Sequence, residues 1–239
     1  MAERRIGGAG GGSDPGKSKS KAGTVVTAAV AAGLVAASGG ATVTDSVGTA
    51  LDTAAQQSAE TRTANGKDSA AKGDDAQAWR RMAMRELKKV VTRQLRCAVQ
   101  SHGQVQAFFT RTPCDSLNQA LFELGDSNGN VIALSVVWVK MPDAAQTDRL
   151  KALEDTYGTG DITPFGTDAL ELAGVKFTAQ HYASRSDGSL LVIAETEPVH
   201  GKPSNTVLNG VATVASILPP LCGSGSVGLP EPVPCVPAI

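Results

Sequence analysis

Glu195 and Glu197 stand two residues apart in a segment that reads as a β-strand, so both carboxyl groups project from one face of a sheet. Paired carboxyl groups are the equipment of general acid and base catalysis. The preceding strand brings Gln180 and Tyr182 to the same face. The two-residue turn Asp187-Gly188 places His181 on the other face, with Phe177, Ala183, Leu190 and Val192. In that company the imidazole reads as a core histidine rather than a base, and the alternation of Glu195 and Glu197 is equally that of a solvated strand face. A small extracellular enzyme with an acid/base site near His181 and Glu195 is therefore the alternative reading, and no residue is assigned a catalytic role.

Other chemistry-bearing patterns are weaker. Gly223, Gly225 and Gly228 match GxGxxG, but they lie in a proline-rich tail with no strand before them and no helix after, which a dinucleotide-binding turn requires. The sequence holds no HExxH or CxxC. Residues 126–130 (DSNGN) have the oxygen-rich look of a calcium loop, yet the glycine precedes the last asparagine and no closing glutamate comes after it, so the segment reads as a turn. His102, His181 and His200 have no mutual ligand spacing. No cofactor and no metal is implied.

The cysteines fall into two local pairs, Cys97 with Cys114 and Cys222 with Cys235. Two disulfides are the natural reading, each closing a loop of about 13 to 17 residues and contributing on the order of 3 kcal/mol. The rival is four buried free thiols in a cytoplasmic protein.

The best candidate for a contact surface is basic. Across residues 79–99 the apolar side chains Trp79, Met82, Ala83, Leu87, Val90, Val91, Leu95 and Ala98 fall near a 3.6-residue period, which predicts an amphipathic helix. Arg81, Arg85, Lys88, Lys89 and Arg96 would lie on its polar face. Such a face suits an anionic envelope polymer or a lipid surface, where each cation contributes about 1 kcal/mol. It also suits docking on the acidic remainder of this chain, whose overall charge is −1. Nucleic acid is not expected, because aromatic residues are few and no binding fingerprint is present.

The chain that must position these side chains opens with a basic leader, residues 1–21, and an Ala/Val-rich stretch, residues 22–44. That stretch is a transmembrane anchor held with its N-terminus inside or a cleaved signal, both of which place the rest of the chain outside the membrane; the bland alternative is a merely Ala-rich soluble segment. Residues 45–77 are rich in Ala, Asp, Gln, Ser, Thr and Gly with no aromatic, which predicts a disordered linker. Residues 78–218 are one domain, and residues 219–239 a Pro/Gly-rich tail.

The domain reads as α+β, in the order ααββαββα, with an antiparallel sheet of about four strands. A short helix begins after Gly103, another spans residues 143–157, and a last one residues 204–218. One hairpin pairs residues 119–126 with 131–141 across an Asn-Gly turn; a second pairs residues 176–186 with 189–197. Residues 131–141 (VIALSVVWVKM) are apolar on both faces, the signature of a strand covered on both sides.

Residues 113–117 (PCDSL), 134–141 (LSVVWVKM), 158–166 (GTGDITPFG) and 177–185 (FTAQHYASR) resemble a group of actinobacterial membrane-anchored or secreted proteins of uncharacterised function. The resemblance covers roughly residues 79–219. It implies export and transfers no catalytic residue. The functional expectation is an exported, envelope-associated, noncatalytic binding or interaction module.

Overall fold

A computed structural model of the chain describes residues 44–165, 167, 170, 172 and 174–221. The leader, most of the anchor or signal stretch, and the tail from Cys222 onward, including Cys235, lie outside these residues. Among the described residues no helix is long and apolar enough to cross a membrane.

Helix α1 (Thr44–Ala71) comes first, followed by α2 (Asp75–Arg81) and strand β1 (Met84–Thr92). Then come α3 (Gly103–Arg111), the hairpin β2 (Ser116–Asp126) and β3 (Val131–Lys140), and α4 (Ala144–Glu154). The hairpin β4 (Tyr182–Asp187) and β5 (Leu190–His200) leads into α5 (Asn205–Ala215). The domain is α+β as expected, but the sheet has five strands, all antiparallel, in the order β1-β2-β3-β5-β4.

The added strand is a correction to the basic helix. Only α2 is helical; the chain leaves it through Ala83, whose φ is +59°, and residues 84–92 pair with β2. The β-branched run Val90, Val91, Thr92 favours that pairing. A bulge between Glu86 and Lys88 inserts an extra residue, which spoils the two-residue alternation and leaves a pattern that mimics a helical period.

Residues expected to form a disordered linker are largely helical in α1. Its C-terminal part packs against α2 and α5. The approach is close because each helix offers a glycine to a side chain of the other: a Cβ on Gly66 would sit 2.9 Å from Cγ2 of Val214, and one on Gly210 would sit 2.9 Å from Oγ1 of Thr63. A polar, alanine-rich helix holds its form here through tertiary packing at one end.

Side-chain caps start helices α4 and α5. Asp143 accepts the backbone N–H of Gln146 at 2.8 Å to start α4, and Ser204 accepts that of Val207 at 3.3 Å to start α5. Residues 126–130 form the expected turn, in which Oδ1 of Asp126 accepts the N–H groups of Asn128 and Asn130 at 2.8 and 2.9 Å.

The sheet is covered on both sides, which accounts for the two apolar faces of β3. Helices α1, α2 and α5 lie on the first face over Phe122, Leu134, Trp138, Val192 and Ala194. There the Trp79 and Phe122 rings meet edge to face at 5.5 Å, and the indole N–H of Trp138 donates to the Leu218 carbonyl at 2.9 Å. Helices α3 and α4 cover one end of the second face over Val137, Val139, Leu191 and Ile193. Leu170, Leu172, Val175 and Phe177 cover the other end, over Leu121 and Ala133. The Cys97–Cys114 disulfide ties the chain entering α3 to the start of β2.

Candidate functional site

Between the two apolar clusters of the second face runs a polar seam. The alternation that points Leu191 and Ile193 onto this face continues along β5 to Glu195 and Glu197, which are only 5% and 8% exposed. The solvated strand face expected for this pair is thus overturned: both carboxyl groups are interior.

Their cover is a strap, residues 175–180, pinned at one end by Val175 and Phe177 in the apolar cluster. The Glu197 carboxyl accepts the N–H of Thr178 at 2.9 Å and also its hydroxyl. The Glu195 carboxyl accepts the N–H of Ala179. Ala179 adopts φ +59°, a left-handed conformation that costs a non-glycine residue about 1 kcal/mol and is held by this contact. The strand expected over residues 176–186 is therefore shorter, beginning at Tyr182, and Phe177 lies on the second face rather than beside His181.

Two more carboxyl groups reach the seam from elsewhere. Glu154 ends α4, and Asp161 lies in the glycine-rich loop after it; the two side chains are hydrogen-bonded to each other. The loop is fixed by backbone bonds: His102 N–H to the Asp161 carbonyl at 3.0 Å, Gln104 N–H to that of Thr159 at 2.6 Å, and Thr163 N–H to that of Gln100 at 2.7 Å. Gly160 permits this approach, since a Cβ there would lie 2.2 Å from the His102 carbonyl oxygen.

Electrostatics follow from burial and like charge. Burial and the neighbouring Asp161 push the Glu154 carboxyl up to about 10, so it carries the proton that the pair shares. Burial raises Asp161 as well, against the hydrogen bond from Glu154. Burial pushes Glu195 up to about 7, against the Ala179 N–H and with the help of Asp161 and Glu197. Asp155 goes the other way. Burial opposes its ionisation, but bonds from Lys151, the Ser184 hydroxyl at 2.6 Å and the Tyr182 hydroxyl at 3.1 Å prevail and hold it below the ordinary range. Burial and Asp155 together raise the Tyr182 phenol.

Above this group opens a cleft of about 480 Å³. Glu154, Asp161, Tyr182 and His102 line it, with Phe177 on the strap side and Tyr157 on its rim, 91% exposed. The arrangement can accept hydrogen bonds from a donor-rich ligand and move a proton within the Glu154–Asp161 pair. Among the described residues no three His, Cys, Asp or Glu side chains are disposed to hold a metal ion.

Of the residues singled out from sequence, Tyr182, Glu195 and Glu197 come together here, and His181 does not. It lies on the first face, where its Nε2 is 3.1 Å from Oδ1 of Asn205, so it shares no site with Glu195. Glu154 and Asp161 escaped sequence reasoning; the signal was the glycine-rich GTGD run directly after a predicted helix. The basic residues do not form one face. Lys89 is bound to Asp75 at 2.6 Å and sits 5.1 Å over the Phe122 ring, and Lys88 pairs with Glu123 at 3.6 Å on the opposite side of β1. Arg81, Arg85 and Arg96 are exposed at separate places on α2, on β1 and in the turn at Cys97.

Fold and site together define a three-layer α+β domain with an acid-floored cleft on one layer boundary. Comparison with known proteins finds no match, whether among family models, curated proteins or solved structures.

Proposed function

We propose that the chain is an exported, envelope-associated, noncatalytic binding module, and that its ligand occupies the acidic cleft. The observation that carries this is the exposed Tyr157 ring on the rim of a cleft floored by Glu154 and Asp161. An aromatic platform beside hydrogen-bond acceptors suits a glycan bearing hydroxyl and ammonium donors, whose sugar face stacks while its polar groups bond below. Binding is favoured over catalysis because Glu195 and Glu197 are spent on the strap, the Tyr182 hydroxyl is spent on Asp155, and His181 is across the sheet. Export is supported by the Cys97–Cys114 disulfide, which belongs to an oxidising compartment, and agrees with the likeness to exported actinobacterial proteins.

The test is cosedimentation of the detergent-solubilised full chain with isolated wall glycan and with anionic liposomes, alongside titration with partly deacetylated chito-oligosaccharides. Glycan binding that Tyr157→Ala weakens about tenfold or more supports the cleft. Binding only to liposomes, lost in Arg81→Glu/Arg85→Glu, moves the site to the basic surface and sinks the cleft reading.

A second reading is an extracellular acid/base enzyme. The proton shared by Glu154 and Asp161 specifically favours it, since a carboxyl protonated at neutral pH can donate to a leaving group. A hydrolytic activity toward the bound glycan that Asp161→Asn abolishes without loss of binding would establish it.

A further inference from the structure

Two features make the strap more than a covering loop. Residues 178–180 are exposed, yet they lie over Glu195 and Glu197, two buried carboxyl groups. The strap also forms one wall of the cleft through Phe177, Thr178 and Ala179, so its position sets how open the cleft is. Its attachment is polar at one end and apolar at the other, with Ala179 strained at the polar end.

The groups facing Glu195 come from every element around it. Helix α4 contributes Glu154, with Asp155 beside it held by Lys151; the loop after α4 contributes Asp161, and the entry to α3 His102. Strand β4 contributes Tyr182, β5 itself Glu197, and the strap carries Lys176, which is exposed. Among the described residues no lysine or arginine is ion-paired with Glu154, Asp161, Glu195 or Glu197. Four carboxyl groups so placed resist full ionisation while the strap stays down, because burial and mutual repulsion oppose the added charge more than the strap N–H groups and His102 favour it.

We propose that residues 175–180 are a proton-operated strap, docked over Glu195 in acid and lifting as the pH rises through neutrality, so that the cleft opens on the alkaline side. The sign is set by linkage. With the strap down Glu195 holds its proton up to about 7, whereas once it is hydrated it returns toward 4.5, so protons bind the closed form more tightly. Between pH 5 and pH 8 the opening equilibrium shifts by some tens-fold, roughly fifty. The device does not depend on which ligand the cleft takes.

Hydrogen exchange of the full chain at pH 5 and pH 8, corrected for intrinsic rates, tests this. Protection of residues 175–181 is expected to fall by tens-fold at pH 8 while that of β3 is unchanged, and Glu195→Gln, which cannot ionise, is expected to remove the fall. Equal protection at both pH values overturns the proposal, as does a fall that survives in Glu195→Gln. Should that variant fail to fold, the wild type decides through ring-¹³C tyrosine, since Tyr157 and Tyr182 are the 2 tyrosines of the chain. The Tyr182 resonance should titrate between pH 6 and 8 with the same midpoint as strap exchange, and midpoints more than about one unit apart overturn the proposal.

Discussion

The carboxyl group of Glu154 bonds that of Asp161, joining the end of α4 to the loop that the α3 entry holds in place. The pair survives because it shares a proton, so its two members are not interchangeable with two independent acids. Asp161→Asn replaces the shared proton with a permanent amide donor to Glu154. The variant should fold, and its melting temperature at pH 8 should equal or exceed that of the wild type, since one buried like charge is gone. A drop of more than about 3 °C, which is roughly 1 kcal/mol for a domain of this size, would show that Asp161 has a stabilising partner of another kind.

Stability should decline from pH 5 to pH 8. Glu195 and Glu154 have folded values above their unfolded value of 4.5, so the native state holds more protons than the unfolded chain across this interval. Their contribution is fully present below about 4.5 and is lost as the pH rises through the folded values. For Glu195 alone the loss amounts to about 3 kcal/mol. Asp155 is depressed, so its contribution is present above 3.8 and disappears in stronger acid, which places the optimum near pH 4 to 5. Thermal scans at pH 3, 5 and 8 should give the highest melting temperature at pH 5.

Much of the scaffold was legible because it is written locally. Asp143 and Ser204 cap their helices and Asn-Gly turns the first hairpin, whereas the second turns at Gly188-Ser189, one residue beyond the Asp187-Gly188 expected, because Asp187 still pairs with Leu190. The unbroken apolar run of β3 announces two covers. The cleft was illegible because it is assembled from distant segments, with Glu154, Asp161, Thr178 and Glu195 meeting through packing alone. Glu195 and Glu197 drew notice by their spacing, but alternation gives only the face, and the cover over that face is a strap without regular structure. Strand β1 was hidden by its own bulge and by cations on both of its faces.

Reducing the Cys97–Cys114 bond should destabilise the domain by about 3 kcal/mol, since it closes a loop spanning 17 residues. The chain around α3 also anchors the 159–163 loop through the bridge between Ser101 and Ile162. The double variant Cys97→Ser/Cys114→Ser should therefore unfold at lower urea and show faster hydrogen exchange in residues 156–163 than in β3. Uniform loss of protection would mean that the bond supports the whole sheet rather than this corner.

Gly160→Ala should be among the costliest single-methyl changes in the chain. Its φ of +112° disfavours any side chain, and the new Cβ would be driven onto the His102 carbonyl. A loss on the order of 2 to 3 kcal/mol is expected. Gly158→Ala, also at positive φ but with open space around its Cβ, should cost less, so the difference in urea midpoint isolates the steric contact from the backbone preference.

The cations of β1 and α2 should separate into structural and superficial ones. Lys89 is enclosed between Asp75 and the Phe122 ring, with its side chain 16% exposed, so Lys89→Ala strands the Asp75 carboxylate and uncovers the ring. The expected cost is about 1 to 2 kcal/mol, between that of a surface pair and that of a fully buried one. Arg81 and Arg85 are exposed, and their alanine variants should change stability by less than about 0.5 kcal/mol. Raising salt to 1 M should leave the Lys89 effect largely intact, because an enclosed pair is poorly screened. If Lys89→Ala were instead as neutral as Arg81→Ala, the Asp75 contact would contribute nothing to the docking of α2 on the sheet, and Trp79 packed against Phe122 would have to carry that docking alone.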